Sequence, residues 1–386
     1  MTLPLSLEVD SLGPFFDARH GALVARLREI LVEPLGHDPA HVAQALGQRL
    51  GLYAHLVPER HGGAPAGKPE DSKFVDVRAL VLVREALAQV SPMADAIFAV
   101  QGLGSYPVSA FGTPAQRERV LPGVISGERI GAFALTEPEA GSDVASLRTT
   151  ARRDGDGWVL EGDKTLISNV GIAHHYVVFA NVDPAAGRRG ITAFLVPADA
   201  PNLTFEPLAL TSPHPLGRLR FSGVRVGAGD LIGEPGKGFG IAMETLDTFR
   251  ISVGAAANGM ARRALDLALH HVKSRRQFGG PLADREQIQG YLADMATELD
   301  AARLLVARAA HKRDGGARVT REAAMAKMFA TEAGSRIVDK AVQLHGGSGV
   351  LLGAEVEALY RDIRPLRIYE GTTEIQRLVI AKSLLA

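Results

Sequence analysis

Residues 360–385 read YRDIRPLRIYEGTTEIQRLVIAKSLL. The stretch sets one carboxylate, Glu370, between a tyrosine and a glycine, and the residues just after it look helical. An acid at the mouth of a helix has a plain structural use, since it complements the positive end of the helix dipole. It also has a chemical use, if the fold buries it beside a reacting carbon. Which use applies depends on the rest of the chain.

The chain has 386 residues, 46% hydrophobic and 22% charged, which suits a soluble globular protein of two or three domains. Lys+Arg and Asp+Glu are 43 each, so no basic field is available to hold nucleic acid or an anionic membrane. Cysteine is absent, which excludes disulfides, thiolate catalysis and Cys-ligated metal sites. That fits a reducing compartment, and a cytoplasmic location is expected. MTLPLSLEVDSLGPFF lacks the basic and apolar regions of a signal peptide, and no apolar run is long enough to span a bilayer.

The pattern changes twice along the chain. Residues 15 to about 127 read as helices; in DVRALVLVREALAQV, Val77, Leu80, Val81, Val83 and Leu87 fall near one stripe. Thr113 and Pro114 read as the cap and first position of another helix. Residues 128 to about 232 carry short runs rich in Val, Ile, Phe and Thr, among them GWVLEGDKTLISN, HHYVVFANV and GRLRFSGVRV. Turn residues separate them, as in a small antiparallel barrel or sandwich, and Trp158 lies in one strand. From about 238 helices return. Ile288, Leu292, Met295, Leu299, Ala302 and Val306 form one bundle face; Met325, Phe329, Ala333, Ile337, Ala341 and Leu344 form another. The fold class is therefore α+β, mostly α: an N-terminal helical domain (1–127), a middle β-domain (128–237) and a C-terminal helical bundle (238–386).

Some stretches resemble other sites and fail on inspection. GEPGKGFG, 233–240, misses both the dinucleotide fingerprint and the Walker A spacing, and reads as a linker. The pairs His174–His175 and His270–His271 cannot turn two ligands to one metal, so no metal site is expected. GGSGV, 346–350, has its serine one place late for a nucleophile elbow.

Four loops remain. ALTEPEAGSD, 134–143, offers short hydroxyls and backbone donors; DKTLISN, 163–169, carries Ser168. SRRQFGGPL, 274–282, combines arginines with Phe278; QLHGGSGV, 343–350, has glycines that let a backbone approach a ligand closely. Taken singly, each could be a solvated turn or a helix cap. Their order and spacing, together with RLGLYAHLVPERHGG and the 360–385 block, resemble the acyl-CoA dehydrogenase family of flavoproteins nearly end to end.

The resemblance implies the same three domains, with FAD between the β-domain and the bundle, and a homotetramer built as a dimer of dimers. Thr136, Ser142 and Ser168 correspond to flavin-side contacts, Arg275 and Phe278 to a segment that reaches a neighbouring subunit's FAD. Gln343, Gly346 and Gly347 correspond to the adenine–pyrophosphate cradle, with Thr372 and Glu374 near the cofactor. Ser142, Arg250 and Gly371 fall on the substrate side. Glu370 matches the catalytic base, which takes a proton from the carbon beside a thioester carbonyl while a hydride leaves the next carbon for the flavin. Some relatives carry their base just before an arginine of the first bundle helix; here Phe249 precedes Arg250 and cannot take a proton.

The implied function is FAD-dependent α,β-dehydrogenation of an acyl-CoA, with an electron-transfer flavoprotein as acceptor. Leu166 stands where many relatives have an aromatic residue, LALTSPHPLGRLRF departs from the usual segment before its strand, and Glu286 replaces a common glutamine. Those departures keep open an oxidase or monooxygenase, separable by oxygen consumption, and an acyl group carried on protein. A nucleic-acid-associated flavoprotein without turnover is disfavoured by the zero net charge.

Overall fold

The structure is a computed structural model that describes residues 3–66 and 75–386. The helical start comprises α1 (Ala18–Ile30), α2 (Pro39–Gln44), α3 (Val77–Val90), α4 (Pro92–Phe111) and α5 (Pro114–Ser126). The strands β1 (Gly131–Ala134), β2 (Thr150–Asp154), β3 (Gly157–Ser168), β4 (His175–Asn181), β5 (Ile191–Pro197), β6 (Leu203–Pro207), β7 (Leu216–Val226) and β8 (Leu231–Ile232) follow. Then come α6 (Gly238–Ser274), a small hairpin of β9 (Arg276–Gln277) and β10 (Gly280–Pro281), and α7 (Glu286–Asp314). The chain ends with α8 (Thr320–His345), α9 (Glu355–Ile363) and α10 (Thr373–Leu385). The helix–strand–helix order expected from the sequence is what the chain adopts. It packs as two compact units, one of Met1–Pro34, Val77–Asp95 and Arg250–Ala386, the other of Leu35–Asp76 and Ala96–Phe249.

The sheet unit is built on an eight-stranded sheet ordered β6-β7-β3-β2-β4-β5-β8, with β1 against β4. Every residue of β4 is buried, because both faces are covered. Tyr176, Val178 and Ala180 enter one core with Phe194, Val196 and Phe221. Val177 and Phe179 enter the other with Val120, Leu121 and Ile241. Period-two alternation thus serves two cores at once. Trp158 in β3 meets Phe194 edge-on, 5.7 Å between ring centres. The sheet departs from the antiparallel expectation at β1 and β2, which pair in parallel with β4. Gln101 accepts the Gly131 N–H at 2.6 Å and Asn169 donates to the Gly131 oxygen at 3.1 Å, so side chains fix the entry of β1. Thr113 caps α5 as expected, exchanging bonds with Gln116 around Pro114.

In the other unit, Met295, Leu299, Ala302 and Val306 of α7 and Ala333, Ile337, Ala341 and Leu344 of α8 are buried, while Ile288, Leu292, Met325 and Phe329 are partly so. Helix α3 corrects the reading of a single apolar stripe. It is buried on all sides from Ala79 to Gln89, Arg84 and Glu85 included. Those charges are tolerated because each is paired: Arg84 with Asp95, and Glu85 with Arg303 at 2.7 Å. Asp314, at the end of α7, accepts the N–H groups of Val77 and Arg78 and so starts α3.

Candidate active site

In the helical unit, the chain between α9 and α10 makes a turn that aims Glu370 inward. Glu370 has φ of 52° and Gly371 φ of 91°, two successive left-handed residues. A glutamate in that region costs energy unless the surroundings impose it. They do. Arg250 Nε donates to the Glu370 carbonyl oxygen at 3.1 Å. Lys327 Nζ donates to the Gly371 carbonyl oxygen at 2.8 Å. Gln376, fully buried, donates its amide to both oxygens, at 3.2 and 2.9 Å. A Cβ on Gly371 would sit 2.5 Å from that amide nitrogen, which is why glycine follows the acid. Thr372 then caps α10 by accepting the Ile375 N–H, and Glu374 stands exposed in the first turn.

The residue keeps some solvent-exposed surface, yet the Oε2 of Glu370 has none and no hydrogen-bond partner. Burial pushes the carboxyl above the usual glutamate range, against the opposing charges of Arg84, Arg250 and Lys327. Lys327 is in turn lowered to about 8, chiefly by its own burial. A carboxylate with one buried, unpaired oxygen and a raised proton affinity is equipped to take a proton from carbon. The dipole-capping alternative for Glu370 is not what the geometry shows, because Thr372 is the cap.

A second feature of this unit is a groove of about 660 Å³ lined by His271, Arg275, Tyr291, Gln343, Gly346 and Gly347, among others. Gly346 has φ of 58°, and a Cβ on Gly346 or Gly347 would meet open space, so the backbone there is bare to a ligand. His271 and His345 stack at 4.3 Å beside it. A guanidinium, an amide and an exposed peptide edge fit the adenosine diphosphate half of FAD. Phe278 does not line this groove; it stands 92% exposed at φ of 51° on the β9–β10 hairpin, whose turn Arg285 ties down through the oxygens of Gln277 and Phe278.

The sheet unit brings together two of the loops. Thr165 N–H donates to the Thr136 oxygen at 3.0 Å, joining the 134–143 loop to the end of β3. Beneath that joint Lys164 donates to Glu137 at 2.7 Å and to the Leu135 oxygen at 3.0 Å, all sealed from solvent. Ser142 is exposed on the same loop. Ser168 shares a bond with His214 at 3.3 Å, so the unusual 208–221 segment contributes a side chain here. Leu166 stands 57% exposed at φ of 55°, inside a bulge of the β3–β7 ladder. Sequence reasoning passed over Gln376, Glu137 and Lys164. The signals were present: Gln376 follows Glu370 at a helical reach, and Glu137 and Lys164 are charges beside apolar runs. Among the described residues no group of three His, Cys, Asp or Glu could hold a metal ion. The His174–His175 pair diverges, His174 accepting from the Ile130 N–H and His175 bonding the Gly104 oxygen.

Comparison with known proteins gives three consecutive matches: residues 26–128 with the acyl-CoA dehydrogenase N-terminal domain, 132–224 with the middle domain and 236–385 with the C-terminal domain. The chain is 42% identical over 352 residues to the mitochondrial short-chain specific acyl-CoA dehydrogenase of Bos taurus, covering 90% of this chain and 83% of that one. It is 38% identical over 385 residues to a 3-(aryl)acrylate reductase of Clostridium sporogenes, covering 96% and 100%. Among solved structures, butyryl-CoA dehydrogenase of Megasphaera elsdenii superposes with a TM-score of 0.90 at 34% identity, covering 96% of this chain and 99% of that one.

Proposed function

The chain belongs to the acyl-CoA dehydrogenase family, and we propose that its reaction is the FAD-dependent α,β-dehydrogenation of an acyl-CoA thioester with Glu370 as the base. The observation that carries this is the sealed, unpartnered Oε2 on a turn held by Arg250, Lys327 and Gln376. A free glutamate is far too weak a base for a thioester α-proton, so burial must raise its proton affinity and donors must meet the charge that develops on the thioester oxygen. Bound FAD supplies the acceptor for the hydride that leaves the β-carbon. Glu370 takes the α-proton, Gly371 leaves room beside it, and Arg250 and Ser142 belong to the substrate side. Gln343, Gly346 and Gly347 would hold the adenosine end of the cofactor. Thr136, Ser142 and Ser168 would meet the flavin, with Thr372 and Glu374 near it and Arg275 and Phe278 reaching the cofactor of another subunit.

Similarity to a reductase favours a second reading, the same chemistry in reverse. A carboxyl that burial drives toward its neutral form can hold and return a proton to an unsaturated acyl group. Reoxidation of dithionite-reduced protein by enoyl-CoA tests it.

Part of the same proposal is the organisation into domains at 1–127, 128–237 and 238–386, a homotetramer, a cytoplasmic setting and an electron-transfer flavoprotein as acceptor. Exposed Phe278, Leu351 and Leu352 support an assembly that covers them. No helix among the described residues is long and apolar enough to cross a membrane. Sedimentation reads the assembly, and oxygen uptake by the reduced protein separates an oxidase from a dehydrogenase.

The deciding experiment is anaerobic titration of the purified flavoprotein with a panel of acyl-CoAs, following loss of flavin absorbance. Glu370→Gln is expected to bind acyl-CoA and to lose reduction by at least about a thousandfold. Reduction at the wild-type rate in that variant overturns the assignment.

A further inference from the structure

Glu332 lies on α8, and its carboxylate gathers both ends of the turn that carries Glu370. Arg367, three residues before the acid, donates through Nε to Oε1 and through Nη2 to Oε2, each at 2.9 Å. Thr373, three residues after the acid, donates its hydroxyl to the same Oε1 at 2.7 Å. Thr373 is 3% exposed and the Glu332 side chain 21%. Burial alone would raise the Glu332 carboxyl, but the Thr373 hydroxyl and Arg367 outweigh it and hold it below its ordinary 4.5. It is therefore an ionised acceptor at neutral pH.

A single exposed ion pair contributes little. Here two parallel N–H bonds fix the plane of the carboxylate, and the third donor is a buried hydroxyl. Together the three bonds close the turn at its base. The clamps at its apex are Arg250, Lys327 and Gln376, which hold the peptide oxygens of Glu370 and Gly371. Lys327 and Glu332 both belong to α8, about 7.5 Å of helix rise apart. One helix thus holds the turn at apex and base. Two successive left-handed residues, one of them a glutamate, stay strained only where the surroundings fix both. We propose that Glu332 is a positioning residue for the reaction, tying Arg367 to Thr373 so that the turn between them keeps the Glu370 carboxylate in place against the thioester α-carbon. This rests on Glu370 being the base.

The competing use of the same bonds is packing alone, in which Glu332 merely fastens the start of α10 to α8. The two uses make different demands. Positioning requires the loss to appear in kcat with binding intact, because a misplaced base slows the proton transfer itself. Packing requires only a loss of stability.

The test is anaerobic flavin reduction by acyl-CoA in wild type, Glu332→Ala, Thr373→Val and Thr373→Ser holoenzymes, each measured well below its own Tm. Glu332→Ala and Thr373→Val are expected to lower kcat about tenfold, with KM and FAD retention within about twofold of wild type. Thr373→Ser keeps the hydroxyl and is expected to react at nearly the wild-type rate. Adding Thr373→Val to Glu332→Ala should lower kcat no further, since the bond is already gone. If Glu332→Ala does not fold, the two Thr373 variants decide, because they differ in whether a hydroxyl is present. Thr373→Val at the wild-type kcat, or Thr373→Ser as slow as Thr373→Val, overturns the proposal. Glu370 remains the base in that event, provided Glu370→Gln is inert. If wild type is reduced by no acyl-CoA, the functional reading falls and this inference falls with it.

Discussion

The side-chain amide of Gln376 lies 3.2 Å from the carbonyl oxygen of Glu370 and donates to it. The same nitrogen serves the Gly371 oxygen, so one buried amide spans the turn that presents the acid. Gln376→Leu keeps the volume, removes one donor from each oxygen and leaves them only Arg250 and Lys327. We expect a loss of about 1–3 kcal/mol of stability, together with a fall in kcat that exceeds any change in KM. Denaturant unfolding and steady-state kinetics on one preparation check the pair of effects.

Glu137 and Lys164 form the corresponding anchor under the 134–143 loop. Burial alone would raise the Glu137 carboxyl, but Lys164 and the Arg148 and Thr149 donors outweigh it and hold it below its ordinary 4.5. A carboxyl lower in the folded than in the unfolded chain stabilises above the unfolded value and loses that contribution as pH falls through the folded one. Glu137→Gln should therefore flatten the drop in Tm below pH 4.5. Lys164→Met, which strands the acid, should cost about 3–5 kcal/mol at neutral pH. Calorimetry across pH tests both.

Leu166 is strained for nothing its packing returns, being left-handed and mostly exposed. Leu166→Gly removes the Cβ clash, so stability should rise by up to about 1 kcal/mol. If the side chain covers the flavin, the flavin absorbance maximum will shift in the same variant. An unchanged spectrum would remove Leu166 from the cofactor's surroundings.

Arg275 borders the groove with the bare Gly346–Gly347 backbone. Arg275→Ala should weaken FAD retention by about tenfold, with one charge-assisted bond lost. Gly346→Ala should weaken it through strain at φ of 58°. Equilibrium dialysis against FAD measures each without turnover.

Much of the fold was legible because its rules are local. The run GWVLEGDKTLISN coincides with β3, and the α7 and α8 faces bury most of the residues that periodicity selects. Parallel pairing of β1 with β4 was not legible, since Gln101 and Asn169 fix it from distant positions. Nor was the full burial of α3: periodicity finds one stripe, whereas Arg84 and Glu85 are buried by partners in other helices. At the site, the local motif identified Glu370, but the left-handed turn is held by Arg250 and Lys327, which reach it only once segments far apart in sequence meet.

Arg250 reaches the Glu370 oxygen across 120 residues, and Asp314 starts α3 across 237. The unit that carries the acid is thus assembled from three separate stretches of chain. During synthesis α3 emerges long before α7, so Glu85 waits for its Arg303 partner and the start of α3 for Asp314. Closing such wide loops is entropically slow. The acid-bearing turn is the final stitch, so a ribosome-bound chain lacking α10 is expected to hold a stable sheet and no competent base.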